Sequence, residues 1–560
     1  ASEGIQITFS IAVSTLPINI NIYLDDIDAN TSTLLNNSNY SITPTTALSG
    51  AGRFFLRISE PSTTYTYNGS WSPSDPNGTA TAGDDIVIAS GDATINANTT
   101  CNSVTVNPGV GLTIDSGFTL TTSNGLTLES TSTNYSSLIL DGTVSGPMTY
   151  QRHVNINGSG TTGSNDLISA PLTGQDFATF AAANPNIFNN GTLYLFGPFE
   201  KNTGQFLTYT DSETATLDPG VGYRAATSDN SALTFTGTAE NGNVSKDILN
   251  SGTNNQEWNL IGNPYPSYMN VQDFFLQDTG GGLNNIQLLD PPTAAMYGYD
   301  GSALNGWTVY NLATTTASTR IAPGQGFFIS ANAAFTASNN IEFTPSMRRT
   351  GSGDDFIVGR NAELTFIKLK ASTNTNAYTT DIYFNNNASL GFDLGYDAAI
   401  WNNTTPDFAI YSHLVQDNTG KAMTLQTVNS SNLSDVVVPL GVNANQGEQL
   451  TFSIDDISVP SSVNVYLDDT VANTSTLLNN SDYVITPTTN LSGTGRFFLR
   501  TSQDALSTIE NSLDTLNIFA LNTSKELVVS GQLKENTMLN LYDIQGRNVM
   551  SVKLDSSNMK

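Results

Sequence analysis

The stretch YLDDIDANTSTLLNNS at Tyr23–Ser38 returns almost unchanged as YLDDTVANTSTLLNNS at Tyr466–Ser481. The match continues without a gap over Gly4–Ser59 and Gly447–Ser502, and most aligned positions are identical. Both copies consist of short runs in which apolar and polar residues alternate, which is the pattern of half-buried β-strands. A module that occurs twice in one chain predicts an architecture of several β domains.

The two copies differ in the sequence that precedes them. Before the second copy lie strand-like runs at Ala362–Ser372, Thr379–Asn387 and Asp407–Val415, so we expect residues 351–505 to form a complete β-sandwich of ordinary domain size. The first copy, at residues 1–61, resembles only the back half of such a module. Because a half sandwich exposes strand edges and an apolar face, we expect the natural chain to extend further upstream.

Composition narrows the class of protein. The chain has 560 residues, enough for several domains, and only 12% of them are charged. The net charge of −29 disfavours nucleic acid and anionic membranes as partners, because both attract clustered Lys and Arg. No apolar run reaches the roughly 18 residues of a transmembrane helix. The sequence therefore predicts an all-β, multidomain, extracellular protein without a transmembrane segment.

Residues 62–149 contain short strand-like phrases separated by Gly, Asn or Asp-Ser. Apolar residues recur every six to eight positions, at Val104, Leu112, Leu120 and Leu126. This spacing predicts a β-helix or β-roll in which each coil stacks on the next. A row of hairpins in a sandwich is the alternative.

Residues 150–350 hold a second, weaker repeat, which predicts two β-rich halves packed as one unit. We expect one short helical segment here, within Asp176–Phe188, because Ala-rich spacing ends near a proline. The matching segments are Leu167–Pro171 with Leu260–Pro264, Gln175–Phe177 with Gln272–Phe274, and Pro219–Tyr223 with Pro323–Phe327.

A family resemblance emerges at residues 510–560. A strand-like KELVVSG is followed by LNLYDIQGRNVM, whose core is Tyr542, Asp543, Ile544, Gly546 and Arg547. This pattern resembles the C-terminal sorting domain of Bacteroidota proteins exported by the type IX secretion system. Physically it suits a strand that runs into a tight turn, with glycine supplying a permissive backbone and arginine free to pair with a carboxylate.

The resemblance has two departures. The usual Tyr-Pro-Asn-Pro opening is replaced by Asn517–Ala520, and the closing Gly-Ile-Tyr-type strand and short basic end are missing before Lys560. We therefore expect a truncated sorting domain. The run WNLIGNPYPS at Trp258–Ser267 is also similar to a phrase in large surface proteins of these bacteria.

The resemblance implies where the protein is located and one partner that recognises it. It implies recognition by the type IX outer-membrane machinery, export across the outer membrane, and an extracellular or cell-surface, outer-membrane-associated location. It names no ligand.

The sequence offers little for catalysis. His153 and His413 are far apart in strand-like runs, and Cys101 is the one cysteine; we interpret all three as structural. No Gly-x-Ser-x-Gly elbow is present. Residues 62–150 contain no Lys, Arg or His, which disfavours polysaccharide-lyase chemistry, because that chemistry usually uses a cationic residue beside the sugar carboxylate. We therefore predict no enzyme and no required cofactor.

Acidic residues in the repeated phrase make calcium a candidate ligand. Asp25, Asp26 and Asp28 lie within four residues, and the second copy keeps Asp468 and Asp469. Clustered carboxylate oxygens suit a hard cation. The alternative is a solvated turn, in which Asp is chosen for its turn geometry.

Aromatic residues could contact extracellular glycans. Trp71, Trp258, Tyr265 and Tyr268 could stack on sugar rings if they are exposed. The alternative is that they pack in the core.

These observations together predict a secreted adhesin or structural stalk built of tandem β modules. One alternative is a carbohydrate-binding module or a fragment of a carbohydrate-active enzyme. A further alternative is a subunit of an extracellular filament, in which neighbouring copies of the chain complete each other by strand exchange.

Overall fold

The structure is a computed structural model in which strands make up nearly all of the regular structure, which confirms the all-β, multidomain prediction. The chain divides into a large unit, residues 1–460 and 464–502, and a small unit, residues 461–463 and 503–560. None of the helices in the described part of the chain has the length and apolar character of a membrane span. The described residues are 1–16, 20–59, 62–158, 165–299, 307–334, 339–354, 364–400, 404–503, 517–521, 526–530, 537–543 and 545–554, with the backbone alone for 517–521, 526–530, 537 and 554.

The first copy of the repeat forms a small module, called here the open module. Its strands are β1 (Ile7–Phe9), β2 (Asn21–Asp26), β3 (Thr31–Leu34), β4 (Tyr40–Ile42) and β5 (Phe54–Ser59). They form an antiparallel sheet of order β3-β2-β5 and a separate pair β1-β4. The buried core is small and consists of Ile22, Leu24 and Leu35.

The next region is a parallel β-helix. Its strands are β6 (Thr64–Asn68), β7 (Trp71–Ser72), β8 (Asp85–Ser90), β9 (Ala93–Ile95), β10 (Thr99–Val106), β11 (Gly111–Ile114), β12 (Thr119–Leu128), β13 (Ser137–Leu140), β14 (Thr143–Ser145) and β15 (Met148–His153). One parallel sheet runs β6-β8-β10-β12-β15, and the other runs β9-β11-β13.

Apolar ladders fill the inside of this solenoid. Ile86, Val104, Leu126 and Met148 lie in register on successive coils of the first sheet, and all four are buried. Of the residues singled out by their spacing, Val104 and Leu126 belong to this ladder, Leu112 lies in the second sheet, and Leu120 lies on the same strand as Leu126, so the apolar residues recur on stacked coils. The β-helix prediction is confirmed, and the alternative of a row of hairpins is wrong.

The duplicated domain follows, and its two halves have the same topology. Its elements are β16 (Asp166–Ser169), α1 (Phe177–Ala183), β17 (Phe196–Glu200), β18 (Gln205–Phe206), β19 (Gly222–Ala225), β20 (Ala232–Thr236), β21 (Val244–Ile248), β22 (Trp258–Gly262), β23 (Tyr268–Asn270), α2 (Val271–Leu276), β24 (Met296–Tyr299), β25 (Trp307–Tyr310), β26 (Arg320–Ile321), β27 (Gly326–Ser330), β28 (Asn339–Phe343) and β29 (Arg348–Arg349). The sheet orders are β16-β19-β17-β18 and β22-β27-β24-β25. Short 3-10 turns occupy Asn285–Leu288, Pro291–Thr293 and Pro345–Met347.

Reciprocal contacts join the two halves. A bridge pairs Val221 with Ile261, and a second bridge pairs Gln325 with Ile168; in the sequence repeat, Ile168 matches Ile261 and Val221 matches Gln325. Contacts that exchange equivalent positions are those of an approximate two-fold axis. The expectation of one helical segment is wrong, because α2 forms as well, where the Asn270 side chain accepts a hydrogen bond from the backbone N–H of Asp273.

The solenoid and the duplicated domain share a sheet. β15 pairs antiparallel with β20 through five residue pairs, and the fully buried Arg152 reaches across the junction. Its guanidinium donates to the carbonyl of Gly324 at 3.1 Å and to Oε1 of Gln325 at 3.0 Å, and it stacks over the ring of Tyr135. These bonds satisfy a charge that would otherwise be costly to bury.

The second copy of the repeat lies in a complete sandwich, called here the closed module. Its strands are β30 (Thr365–Ser372), β31 (Ala377–Phe384), β32 (Ala398–Ala399), β33 (Ala409–Ser412), β34 (Met423–Val428), β35 (Val437–Asn443), β36 (Leu450–Ser458), β37 (Val463–Asp469), β38 (Thr474–Leu477), β39 (Tyr483–Ile485) and β40 (Phe497–Gln503), with a 3-10 turn at Ser430–Asn432. The order is β38-β37-β40-β35-β33-β34-β31-β30-β36-β39, with β32 on β34.

The small unit contains two antiparallel hairpins. The first pairs β41 (Asn517–Leu521) with β42 (Glu526–Ser530), and the second pairs β43 (Thr537–Tyr542) with β44 (Asn548–Leu554).

Candidate functional site

The two copies of the repeat fold alike but differ in what covers them. In the closed module, β40 lies between β37 and β35, and β36 lies between β30 and β39. The equivalents in the open module are β5 and β1. Among the described residues, β5 pairs with β2 alone and β1 pairs with β4 alone. One edge of each strand therefore has no strand beside it.

The uncovered edge carries apolar side chains. Leu56 on β5 is 64% exposed, whereas its equivalent Leu499 in the closed module is 1% exposed. Ile58 is 53% exposed, and its equivalent Thr501 is buried. Equivalent positions of the repeat are therefore buried in the closed module and exposed in the open module.

A hollow lies in the same module, next to Ile22 of β2 and the turn after β3. Its volume is about 750 Å³, and its lining includes Ile11, Leu16, Ile22 and Leu35 together with the turn Asn36–Asn39. In the closed module the equivalents of Ile22 and Leu35 belong to a core completed by front-half residues. Those residues are Ile367 and Leu369 of β30 and Val438 and Leu440 of β35. We call β5 and this hollow the open face.

The aspartates of the repeated phrase bind arginines. In the open module the buried Asp26 accepts two hydrogen bonds from Arg53, both at 2.8 Å, and one from the Tyr40 hydroxyl at 2.6 Å. The Arg53 guanidinium holds the pKa of Asp26 at about 2. Asp25, which faces the other side of the strand, pairs with Arg57 at 3.0 Å, and Asp28 lies 3.5 Å from Arg53.

The closed module repeats the pairing of the first two aspartates with arginines, but Val471 stands where the open module has Asp28. Asp469 binds Arg496 at 2.7 Å and accepts from the Tyr483 hydroxyl at 2.9 Å. Asp468 pairs with Arg500 at 2.8 Å. Burial raises the pKa of Asp469, but the hydrogen bonds from Arg496, the Ala472 N–H and the Tyr483 hydroxyl together outweigh it, so the net shift is downward.

These contacts bear on whether the carboxylates of the repeated phrase could hold a calcium ion. Neighbouring carboxylates on a strand point to opposite faces, and here each one is neutralised by its own guanidinium. No three His, Cys, Asp or Glu side chains in the described part of the chain are grouped to hold a metal ion. The donor set therefore does not fit calcium, and calcium binding at Asp25, Asp26, Asp28, Asp468 and Asp469 stays an untested prediction.

Most of the aromatic residues singled out for glycans are buried. Trp258 and Tyr265 have no exposed surface, and Tyr268 is 3% exposed. These three cannot stack on a sugar, so their assignment as glycan contacts is wrong in this structure. The two tyrosines can be buried because their hydroxyls have partners: Tyr265 donates to the carbonyl of Gly242, and Tyr268 donates to the carbonyl of Gly353.

Trp71 is half-buried. It packs edge-on against Tyr67 at 5.0 Å, at the start of the solenoid. A contact between Trp71 and a glycan stays a prediction.

The sorting motif forms the predicted tight turn. Asp543 accepts from Nε of Arg547 at 2.8 Å and from the backbone N–H groups of Gln545 and Arg547 at 2.9 Å. Gly546 has φ +80°, a backbone region that favours glycine. Tyr542 precedes the turn and is exposed. Ile544 lies outside the described residues.

The residues considered for catalysis occupy structural positions. Cys101 is buried, and burial raises its pKa to about 12. Nε2 of His153 lies 2.9 Å from the carbonyl of Asn230, and burial lowers the pKa of His413.

Sequence reasoning missed the residues of the open face. Phe55, Leu56 and Ile58 entered the sequence argument only as part of the repeat. They are found by comparing the exposed fraction of each side chain with that of its equivalent in the other copy.

Comparison with known proteins gives one finding. No curated protein and no solved structure matches the chain. The family model for Domain of unknown function (DUF8693) matches residues 60–500, which include the solenoid, the duplicated domain and the closed module. The chain therefore belongs to the DUF8693 family.

Proposed function

We propose that this chain is part of a secreted, non-enzymatic adhesin or structural stalk at the surface of a Bacteroidota cell, exported by the type IX secretion system. One observation carries the proposal: the same module occurs once closed and once with its apolar face uncovered. We further propose that the open face takes the front-half strands of a module of the same type, so that modules are joined by strand pairing.

The closed module supplies the template for this pairing. There β35 pairs antiparallel with β40, with Val438 opposite Leu499 and Leu440 opposite Phe497. Val438 and Leu440 are buried, whereas Val437 is 43% exposed. Transferred to the open module, a strand of this pattern would lie along Phe54–Arg57. It would supply backbone partners and cover Leu56, as in peptide recognition by strand addition.

A synthetic peptide covering Asp435–Ala444 tests the docking step on the whole chain. We expect it to slow amide hydrogen exchange at Phe54–Ser59 several-fold at saturation. A peptide with Val438→Asp should lose this effect, because the charge would lie opposite the apolar side chain of Leu56, as Val438 lies opposite Leu499 in the closed module. A peptide with Val437→Asp should keep it, because that side chain faces water.

Three results would overturn the docking step. They are no slowing by the native peptide, equal behaviour of the two substituted peptides, or protection at Phe54–Ser59 already present without peptide. The last result together with a dimer in sedimentation would mean that a second copy of the chain occupies the face, as in a strand-exchanged filament.

Export is tested in the bacterium. The geometry of the Asp543–Arg547 turn supports the type IX part of the proposal. We expect mild protease treatment of intact cells to release the protein from wild-type cells but not from cells in which the type IX outer-membrane channel is inactivated. Equal release from both strains would contradict this route.

A further inference from the structure

An aromatic cleft lies where the two halves of the duplicated domain meet. Its volume is about 410 Å³, which is within the range of ligand sites. The first half supplies Phe199, Phe206 and Arg224, and the second half supplies Trp307 and Phe328. Gly204, Gln205 and Asn255 complete the lining.

The approximate two-fold symmetry explains how the cleft is built. Each half contributes from a cross-strand aromatic pair: Phe199 and Phe206, which lie opposite each other, both line the cleft, and in the second half Trp307, which lies opposite Tyr299, lines it. The ring of Phe328 lies near both halves' aromatic residues: its centre is 5.1 Å from the centre of the Phe199 ring and 5.9 Å from that of Trp307. Because Phe199, Phe206 and Trp307 remain half-exposed, the cleft offers aromatic surface to a ligand.

Arg224 breaks the symmetry. In the sequence repeat it matches Phe328, so one half places a guanidinium where the other places a phenyl ring. The guanidinium carbon lies 4.7 Å from the centre of the Phe206 ring. Its Nε is buried and has no hydrogen-bond partner.

The absence of an acid beside Arg224 is unusual in this chain. Acidic residues outnumber basic ones by 49 to 20, and Arg53, Arg348, Arg496 and Arg547 each bind an aspartate. Within the described part of the chain, no carboxylate pairs with Arg224. Burial lowers the pKa of the Arg224 guanidinium, and no neighbouring charge offsets this. The partly exposed guanidinium keeps a buried Nε without a hydrogen-bond acceptor, which is costly, so an anion that paired with this group would be bound favourably.

We propose that this cleft binds an acidic sugar, a uronic acid within a polysaccharide, with Arg224 holding the carboxylate and Phe206 and Trp307 contacting the sugar ring. Arginine pairs with carboxylates through a planar fork of donors. Half-exposed aromatic faces suit the apolar face of a sugar ring, and Gln205 and Asn255 place amide groups near its hydroxyls. This assignment rests on the proposed adhesin function, to which it adds a ligand class.

Calorimetric titration of the whole chain with trigalacturonate tests the assignment. The matched neutral probe is the same trisaccharide with all its carboxyls methyl-esterified. We expect the acid to bind at least about 10-fold more tightly than the ester, as one charge-assisted contact supplies. Arg224→Gln should reduce this preference to less than about 3-fold, and Arg224→Lys should give an intermediate value, because lysine keeps the charge but loses the fork.

Two further variants separate the roles of the residues. Trp307→Ala should weaken the binding of acid and ester alike, because it removes aromatic contact and no charge. Arg320→Gln is the control: Arg320 is an exposed arginine of the same domain outside the cleft lining, so its removal should leave the preference unchanged. Circular dichroism spectra that match the native chain would establish that each variant is folded.

Either of two results would overturn the assignment: no binding of trigalacturonate at millimolar concentration, or an unchanged preference for the acid in Arg224→Gln. Both concern the purified chain in solution. They would therefore leave the export and strand-docking experiments unaffected, and a failure of those experiments would leave this result standing.

Discussion

Replacement of Asp469 by alanine should loosen the closed module far more than replacement of its neighbour Asp468. The Asp469 side chain is 1% exposed and binds Arg496 through two nitrogens, while the Tyr483 hydroxyl and the Val471 N–H donate to it at 2.9 Å. Removal of the carboxylate leaves this set of donors without an acceptor.

The structure sets the expected size of the effect. Removing one partner of a buried ion pair costs about 3–5 kcal/mol. Because the Arg496 side chain is 26% exposed, water can solvate part of it, and we expect the lower end, about 3 kcal/mol. For Asp468→Ala we expect about 1 kcal/mol or less, since Asp468 and Arg500 are 25% and 33% exposed.

Hydrogen exchange followed by mass spectrometry is the suitable assay, because a chain with several domains has no single unfolding transition. Amides of β37 and β40 should exchange about 100-fold faster in Asp469→Ala, since every 1.4 kcal/mol corresponds to a tenfold change. In Asp468→Ala the increase should be about 5-fold or less.

The reasoning fails if the two variants accelerate exchange equally, or if Asp469→Ala changes it less than about 3-fold. Asp26→Ala in the open module is a useful companion, because Asp26 has the same contacts in a module with less core. Its effect should be confined to β2 and β5.

Three further predictions concern buried positions. Cys101 should react with a thiol reagent only after denaturation, because its thiol is buried and its pKa is about 12; rapid labelling of the native chain would contradict this. Gly326→Ala should speed amide hydrogen exchange in β16 and β27, because a Cβ there would lie 2.8 Å from the backbone of Ile168 in the other half, whereas Gly281→Ala, which meets no atom within 4 Å, should not. Burial raises the pKa of Asp397 to about 7, so the folded chain holds a proton that the unfolded chain loses near pH 4, and stability should fall as pH rises from about 4 to 7. Asp397→Asn should flatten this dependence in urea titrations at pH 4.5 and 7.5.

The sequence predicts those parts of the fold that repeat. The ladder from Ile86 to Met148 follows from apolar spacing, because each coil of a solenoid contacts only its neighbours. The turn at Asp543–Arg547 follows from local chemistry, since the carboxylate, the glycine and the arginine lie within five residues.

Burial across long sequence distances could not be predicted. Trp258 and Tyr265 resemble binding residues in the sequence but are covered by segments far along the chain. The cleft around Arg224 could not be predicted, because the aromatic residues that line it come from both halves of the repeat. The ion pairs of the acidic phrase could not be predicted for a similar reason: the arginines that pair with Asp25 and Asp26 lie on β5 and in the turn before it, about 30 residues away.

The sheet shared by β15 and β20 has a mechanical consequence. The chain enters β15 beside the point at which it leaves β20, because Thr149 pairs with Thr236, so a pull on these two flanking segments would load the five antiparallel pairs from one end and open them one after another. The buried guanidinium of Arg152 ties the same junction to the loop at Gly324 and Gln325. Arg152 belongs to the fourth pair from that end, so its buried contacts should be the point at which such opening meets most resistance.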